Sequence, residues 1–191
     1  MNFSLEKLLQ STAECPIIAA VKNFEGLEKC KETDCRIVFI LFGDICNISD
    51  IVNKVKEMGK YAIVHVDLIA GLGSKEVAID YIKQSTRADG IISTKPALIK
   101  RAKELSLFTI QRSFLIDSLA YDNLKKQVQD YNPDVIEILP GSLYKVINIL
   151  CKEIKTPLIA GGLIMDKADV IAALKAGAIA VSSTNQKVWS L

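Results

Sequence analysis

The sequence holds a single histidine, His65, among its 191 residues. A mechanism that needs two imidazoles is thereby excluded, and so is a histidine-rich metal site, which leaves open only a Mg²⁺ site built from carboxylates. Cysteine is poor in pattern rather than in number. Cys15, Cys30, Cys35, Cys46 and Cys151 form no CxxC pair, and their odd count leaves one thiol over in any disulfide scheme. They read as reduced, half-buried small hydrophobes. Neither sign of charge is in excess, since 24 Lys and Arg stand against 22 Asp and Glu for a net charge of +2. Such a balance carries no general affinity for nucleic acid or for a membrane surface, though a local basic patch remains compatible with it. No apolar run approaches the roughly 20 residues that span a bilayer. The start, MNFSLEKLLQST, lacks the basic and apolar stretches of a signal peptide, so a cytoplasmic protein is expected. With 50% hydrophobic residues and no long polar tract, residues 1–191 read as one domain around one core.

What is present is a repeat. PIIAAVK (16–22), IVFILFG (37–43), YAIVHVD (61–67), GIIST (90–94), FTIQRSF (108–114), VIEILPG (135–141), PLIAGGL (157–163) and AIAVSST (178–184) are eight short segments rich in Ile and Val. Each reads as a buried strand. Their starts lie 18 to 29 residues apart, which leaves room for one short helix and two loops each time. In ISDIVNKVKEMGK, Ile51, Val52, Val55 and Met58 make one apolar stripe, Ser49 is placed to cap the start, and Gly59 falls just past the end. DKADVIAALKAG repeats the arrangement with Asp166 as cap and Gly177 as terminator.

Strands that alternate with helices form a parallel sheet, and eight such units close most naturally into a small (β/α)₈ TIM-like barrel. An open doubly wound sheet is the competing architecture. The chain is short beside the roughly 250 residues of the usual barrel, so its helices must be brief. Residues 3–12 are expected to add a capping helix that plugs the barrel's N-terminal end, and NQKVWSL after the last strand holds at most a helical stub.

Ligands of such barrels sit at the C-terminal ends of the strands, and there the sequence turns polar: Lys22, Asp67, Lys95, Arg112 and Glu137 each interrupt an apolar context. Side chains alternate along a strand, so Val64 and Val66 are expected to meet the helices while His65 and Asp67 face the barrel axis. A satisfied internal ion-pair network accounts for any one of these charges. Five converging on one end point instead to a polar ligand.

The loops after the seventh and eighth strands of these barrels commonly bind phosphate through backbone N–H groups and a helix N-terminus. Gly161 and Gly162 let the backbone approach a phosphate, while Ser182, Ser183 and Thr184 end the eighth strand with hydroxyl donors. Other features are discounted. Gly71 and Gly73 lack the third glycine of a dinucleotide fingerprint and read as a mobile loop at the site mouth. Lys100, Arg101 and Lys103, like Lys125 and Lys126, read as solvated helix faces, and Trp189 as a residue that packs the terminus onto the barrel.

HVDLIAGLG (65–73), DGIISTK (89–95), QRSFLIDS (111–118), IEILPG (136–141), AGGLI (160–164) and the terminal AVSST with Trp189 occur in order over almost the whole chain. Together they resemble the glycerol uptake operon antiterminator regulatory proteins, also called glycerol-3-phosphate responsive antiterminators. The resemblance implies a small barrel that binds glycerol 3-phosphate as its effector and acts on the leader messenger RNA of glycerol-utilisation genes, preventing premature termination. It implies that Gly161, Gly162, Ser182 and Ser183 hold the phosphate and that Asp67, Lys95, Arg112 and Glu137 surround the glycerol end. The match is looser around Val21, Lys22 and Asn23, and at SSTNQ.

Two other readings stay open. Phosphate-binding barrels host aldolases, isomerases and decarboxylases, and Lys95 desolvated at a strand end could form a Schiff base with Glu137 or Asp67 as acid or base. Against this, Pro96 follows Lys95, which suits a fixed charge. The other reading is a ligand sensor that signals to a protein through a homo-oligomer, for which no heptad marks an interface.

Overall fold

The computed structural model describes residues 3–191. Eight strands alternate with helices: β1 (Ile17–Val21), β2 (Ile37–Ile40), β3 (Tyr61–His65), β4 (Gly90–Ser93), β5 (Phe108–Phe114), β6 (Val135–Leu139), β7 (Leu158–Gly161) and β8 (Ala180–Ser183). All pair in parallel, each with its successor, and β8 returns to β1 with Ile17 opposite Val181. That last ladder closes the barrel and excludes the open sheet. The helices are α1 (Leu5–Glu14), α2 (Phe24–Cys30), α3 (Ile48–Glu57), α4 (Val77–Ser85), α5 (Pro96–Glu104), α6 (Ser118–Tyr131), α7 (Tyr144–Glu153) and α8 (Lys167–Lys175). None of these helices is long and apolar enough to cross a membrane.

Strands buried on both faces have two cores to fill. One set of side chains, among them Val38, Val64, Ile91 and Ile136, packs against the helices. The alternate set, Ile18, Phe39, Ile63, Ile92, Ile110, Val135 and Ile159, fills the barrel interior. The expected plug is present: Leu8 of α1 is fully buried in the interior cluster, and the Phe3 ring lies 4.4 Å from that of Tyr61 and 4.9 Å from that of Phe108. Because the floor is apolar, inward polar side chains are confined to the layer nearest the C-terminal mouth.

The helix ends follow local chemistry in most places. Asp166 caps α8 by accepting from the Asp169 N–H at 3.0 Å, and Gly59 and Gly177 follow α3 and α8 with φ of +73° and +109°. The expected Ser49 cap is incorrect. Helix α3 starts at Ile48 behind Asn47, whose side chain bonds with Asp44, so Ser49 lies inside the first turn. Val66 and Asp67 are also misplaced in the strand. β3 ends at His65 and the chain turns into a 3₁₀ turn, Val66–Leu68, so strand alternation does not set the direction of Asp67.

Candidate functional site

Register brings the polar layer together. Arg112 on β5 lies opposite Glu137 on β6, and Gly161 on β7 lies opposite Ser182 on β8. The Glu137 carboxylate is fully buried and accepts from Arg112 Nε at 2.6 Å and from Ser182 Oγ at 2.5 Å. Burying a carboxylate is costly unless it is paired and hydrogen-bonded in this way. Gly161 makes the arrangement fit, because a Cβ built there would stand 2.5 Å from Glu137 Oε1 and 2.7 Å from Ser182 Oγ.

Above this trio opens a cavity of about 350 Å³, bordered by Arg112, Glu137, Gly162, Ser182, Ser183, Thr184 and Asn185, with Ala20, Leu41 and Leu139 among its apolar walls. Arg112 donates Nε to Glu137 and also borders this space. Gly162 (φ +70°) and Leu163 (φ +57°) follow one another in the left-handed region. For glycine the conformation is free; for leucine it costs roughly 1–2 kcal/mol. Among the described residues no acceptor meets the backbone N–H groups of Leu163, Ile164 and Thr184. The N-terminus of α8 is already engaged: Asp166 accepts from Asp169 N and Asp169 from Met165 N, so carboxylates occupy that helix start.

Ser183 and Asn185 hold the loops after β7 and β8 together, and Trp189 braces the second. Ser183 Oγ donates to the Ile164 carbonyl at 2.9 Å, Asn185 Nδ2 donates to the Met165 carbonyl at 2.9 Å, and Trp189 Nε1 donates to the Ser183 carbonyl at 2.7 Å. The Ser183 hydroxyl is thus turned to the loop, while that of Ser182 faces the barrel axis. Asn185 lies outside the set expected from sequence; an Asn following SST is a turn signal that marks it.

Asp67 and Lys95 form a second cluster on the β3–β4 side. Asp67 accepts from Thr94 N at 2.7 Å, Ser93 Oγ at 3.0 Å and Thr94 Oγ1 at 3.0 Å, and Lys95 Nζ lies 3.5 Å away. Burial disfavours the Asp67 charge, but the bonds from Thr94 and Ser93 outweigh it and hold the carboxyl below its usual range. Lys95 also donates to Ser74 Oγ at 2.6 Å, which fixes it to the loop after β3 and identifies Ser74 as a further member of the site. Between the clusters stands His65, 3% exposed, its Nδ1 without a partner and 4.0 Å from Asp67 Oδ2. Burial first, then the Arg112 charge, lower its pKa to about 4 although Asp67 opposes them, so the ring is neutral and makes no ion pair.

Of the nine expected residues, Gly162, Ser182, Ser183, Arg112 and Glu137 border the cavity and Gly161 lies directly beneath. Asp67 and Lys95 join across the mouth, and Lys22 stands exposed on the rim after β1. Three of the five discounted cations are engaged elsewhere: Arg101 with Asp80, Lys103 with Asp134, Lys125 with Glu153.

The chain is similar to known proteins over almost its whole length. Over 184 residues the chain is 47% identical to the uncharacterised protein YgcP of Escherichia coli K12, with 96% of each chain covered. The crystal structure of a glycerol uptake operon antiterminator regulatory protein from Listeria monocytogenes superposes with a TM-score of 0.89 at 35% identity, covering 92% of this chain and 95% of that one. A glycerol uptake operon antiterminator-related protein from Thermotoga maritima gives 0.81 at 32%, covering 91% and 96%. Aldolase and decarboxylase barrels superpose at 12–17% identity, a likeness of fold alone. The family model described as glycerol-3-phosphate responsive antiterminator matches residues 17–189, a span that takes in every strand and both clusters, and the chain belongs to that family.

Proposed function

We propose that the protein binds glycerol 3-phosphate at the barrel mouth and, in response, acts on leader messenger RNA in the cytoplasm to prevent premature termination upstream of glycerol-utilisation genes. The observation that carries the ligand half is the pair of N–H groups on Leu163 and Ile164, joined by that of Thr184, beside Arg112 at the cavity wall. Backbone donors and a guanidinium are the groups that hold a phosphate dianion. Deeper in the mouth, Glu137, Asp67 and the unpartnered His65 Nδ1 are suited to the two hydroxyls of a glycerol ester. Lys22 adds positive charge at the rim.

Binding shifts a two-state equilibrium only if the ligand prefers one state. The loops after β3 and β7 carry Ser74 and Gly162–Met165, and their closure on the ester would set the shape of the RNA-binding face. Calorimetric titration with glycerol 3-phosphate, glycerol and inorganic phosphate tests the first half; the ester should bind and glycerol alone should not. Fluorescence anisotropy of labelled leader RNA, with and without the ester, tests the second. An RNA affinity indifferent to the ester would sink the switch.

An enzymatic reading draws less support. A Schiff-base lysine needs a desolvated amine, whereas the Lys95 side chain is 43% exposed and engaged by Asp67 and Ser74. Borohydride trapping with aldose and ketose phosphates should leave Lys95 unmodified.

A further inference from the structure

Two phenylalanine rings at the mouth of the barrel are exposed, Phe24 by 50% and Phe114 by 55%, and their surroundings differ in charge. Phe24 opens α2 just after β1. Its ring meets that of Phe42, which follows β2, edge to face at 5.1 Å and 84°, and Lys54 Nζ of α3 lies 5.5 Å from its centroid. An exposed ring held by a second ring and a cation keeps one orientation at the surface. Two carboxylates of α2 lie close by, but Glu25 is paired with Lys29 at 2.7 Å and Glu28 with Lys54 at 3.8 Å. That leaves Lys22, two residues before the ring, and Lys187, both exposed and without an ion-pair partner among the described residues. Gln186 brings Lys187 to this edge, its Nε2 standing 3.7 Å from where a Cβ on Gly26 would lie. Around Phe114 the sign is reversed: the cavity lined by the adjoining Leu115 and Ile116 is bordered by Asp117 and Asp122 and by no cation.

A half-exposed aromatic face with uncompensated ammonium groups at its edge suits a single-stranded nucleic acid, because a base stacks on the ring while phosphates meet the lysines. An acidic rim repels the same phosphates, so Phe114 is no platform for them. We infer that Phe24, Lys22 and Lys187 form the contact for an unpaired stretch of leader RNA, with Phe24 stacking on a base and the two lysines meeting phosphates. The inference rests on the reading that the protein acts on leader RNA and adds which face of the barrel does so. It also joins the two halves of that reading. Ala20 and Leu41 wall the ester cavity and precede the two rings, by four residues for Phe24 and by one for Phe42, while Asn185 borders the cavity two residues before Lys187. A ligand that shifts these strand ends moves the platform with them.

The test measures binding of fluorescein-labelled leader RNA by anisotropy, with glycerol 3-phosphate present, to the native chain and to folded variants. Phe24→Ala should weaken the complex on the order of tenfold or more, as the loss of one stacked base does, while Phe24→Tyr, which keeps the stacking face, should hold affinity within about twofold of native. Phe114→Ala should leave it unchanged. Lys187→Ala should lower the slope of log affinity against log salt by about 0.7, the share of one single-strand phosphate contact. Calorimetry should show the ester bound by Phe24→Ala as by the native chain.

Ultraviolet crosslinking of the native chain to the same RNA, followed by trypsin and mass mapping, should place the adduct on residues 23–29. That mapping needs no variant, so it decides the matter even where Phe24→Ala fails to fold. The inference is overturned, with the RNA reading intact, if the native chain binds RNA while Phe24→Ala binds it as tightly, or if the adduct falls elsewhere, such as on residues 113–125, which carry Phe114. A native chain that binds no RNA with or without the ester overturns both.

Discussion

The carboxylate of Glu137 occupies the space that a side chain on Gly161 would need. A Cβ there would meet Glu137 Oε1 at 2.5 Å and Ser182 Oγ at 2.7 Å, so glycine ends β7 because its neighbours fill the axis of the barrel. Gly161→Ala should therefore displace Glu137 and destabilise the fold by roughly 1–3 kcal/mol, as overpacking does. Urea denaturation measures the loss. Adding Glu137→Asp, which shortens the side chain, should restore part of it, whereas a purely local backbone effect would leave the double variant as unstable as the single one.

Glu137→Ala leaves the Arg112 guanidinium buried without its partner. Breaking such a pair costs roughly 3–5 kcal/mol, while replacing both members with apolar groups of similar volume is nearly neutral. Thermal unfolding should rank the single variant well below Arg112→Met with Glu137→Leu. Calorimetry on that double variant should at the same time show glycerol 3-phosphate binding lost.

His65 makes stability depend on pH. Its folded pKa of about 4 lies below the ordinary 6.5, so between these values the unfolded chain takes up a proton that the folded chain does not. Stability is full above pH 6.5 and falls as pH drops towards 4, by about 3 kcal/mol in all. Denaturant unfolding at a series of pH values should show this slope in the native chain and a flatter one in His65→Gln. Asp67, held below its usual range, adds a loss only at lower pH, as the medium falls through its depressed pKa.

Gly162→Ala forces a Cβ onto a left-handed backbone and against Leu139 Cδ2 at 3.3 Å. The strain should cost roughly 1–2 kcal/mol. Because it turns the N–H groups of residues 162–164, the thermal shift produced by glycerol 3-phosphate should shrink by more than the fall in melting temperature accounts for.

Trp189→Phe keeps most of the buried ring and removes the bond to the Ser183 carbonyl. Chemical denaturation should report a loss of about 1 kcal/mol. Hydrogen exchange should rise in 183–189 more than in β1–β6, since the indole ties this turn to the end of β8.

The eight strands are legible in the sequence because each needs only a local run of Ile and Val, and the helices because a period of 3.6 residues repeats over two or three turns. The start of α3 is not legible in the same way, because Asn47 bonds with Asp44 outside the helix. Alternation along β3 ends at His65 and does not extend to Asp67, whose contact with Lys95 comes from the turn that follows. Ser74 and the left-handed Leu163 carry no pattern that singles them out, and Asn185 carries only a turn signal, for each matters through a partner 20 or 21 residues away or through a backbone torsion.

Local chemistry along the chain was thus enough to specify the fold class, the end of the barrel that turns polar, and most of the residues gathered there. Parallel register and the apolar plug leave only one layer where charge can face inward. Which groups touch is a matter of assembly. Only when β6, β7 and β8 lie side by side on the inward-curving wall does Ser182 reach Glu137, only then must Gly161 be bare, and only then do the loops after β7 and β8 lie close enough for Ser183 and Asn185 to clasp them. Those contacts join residues up to 45 positions apart, and their geometry follows from the circumference of the barrel rather than from any stretch of sequence.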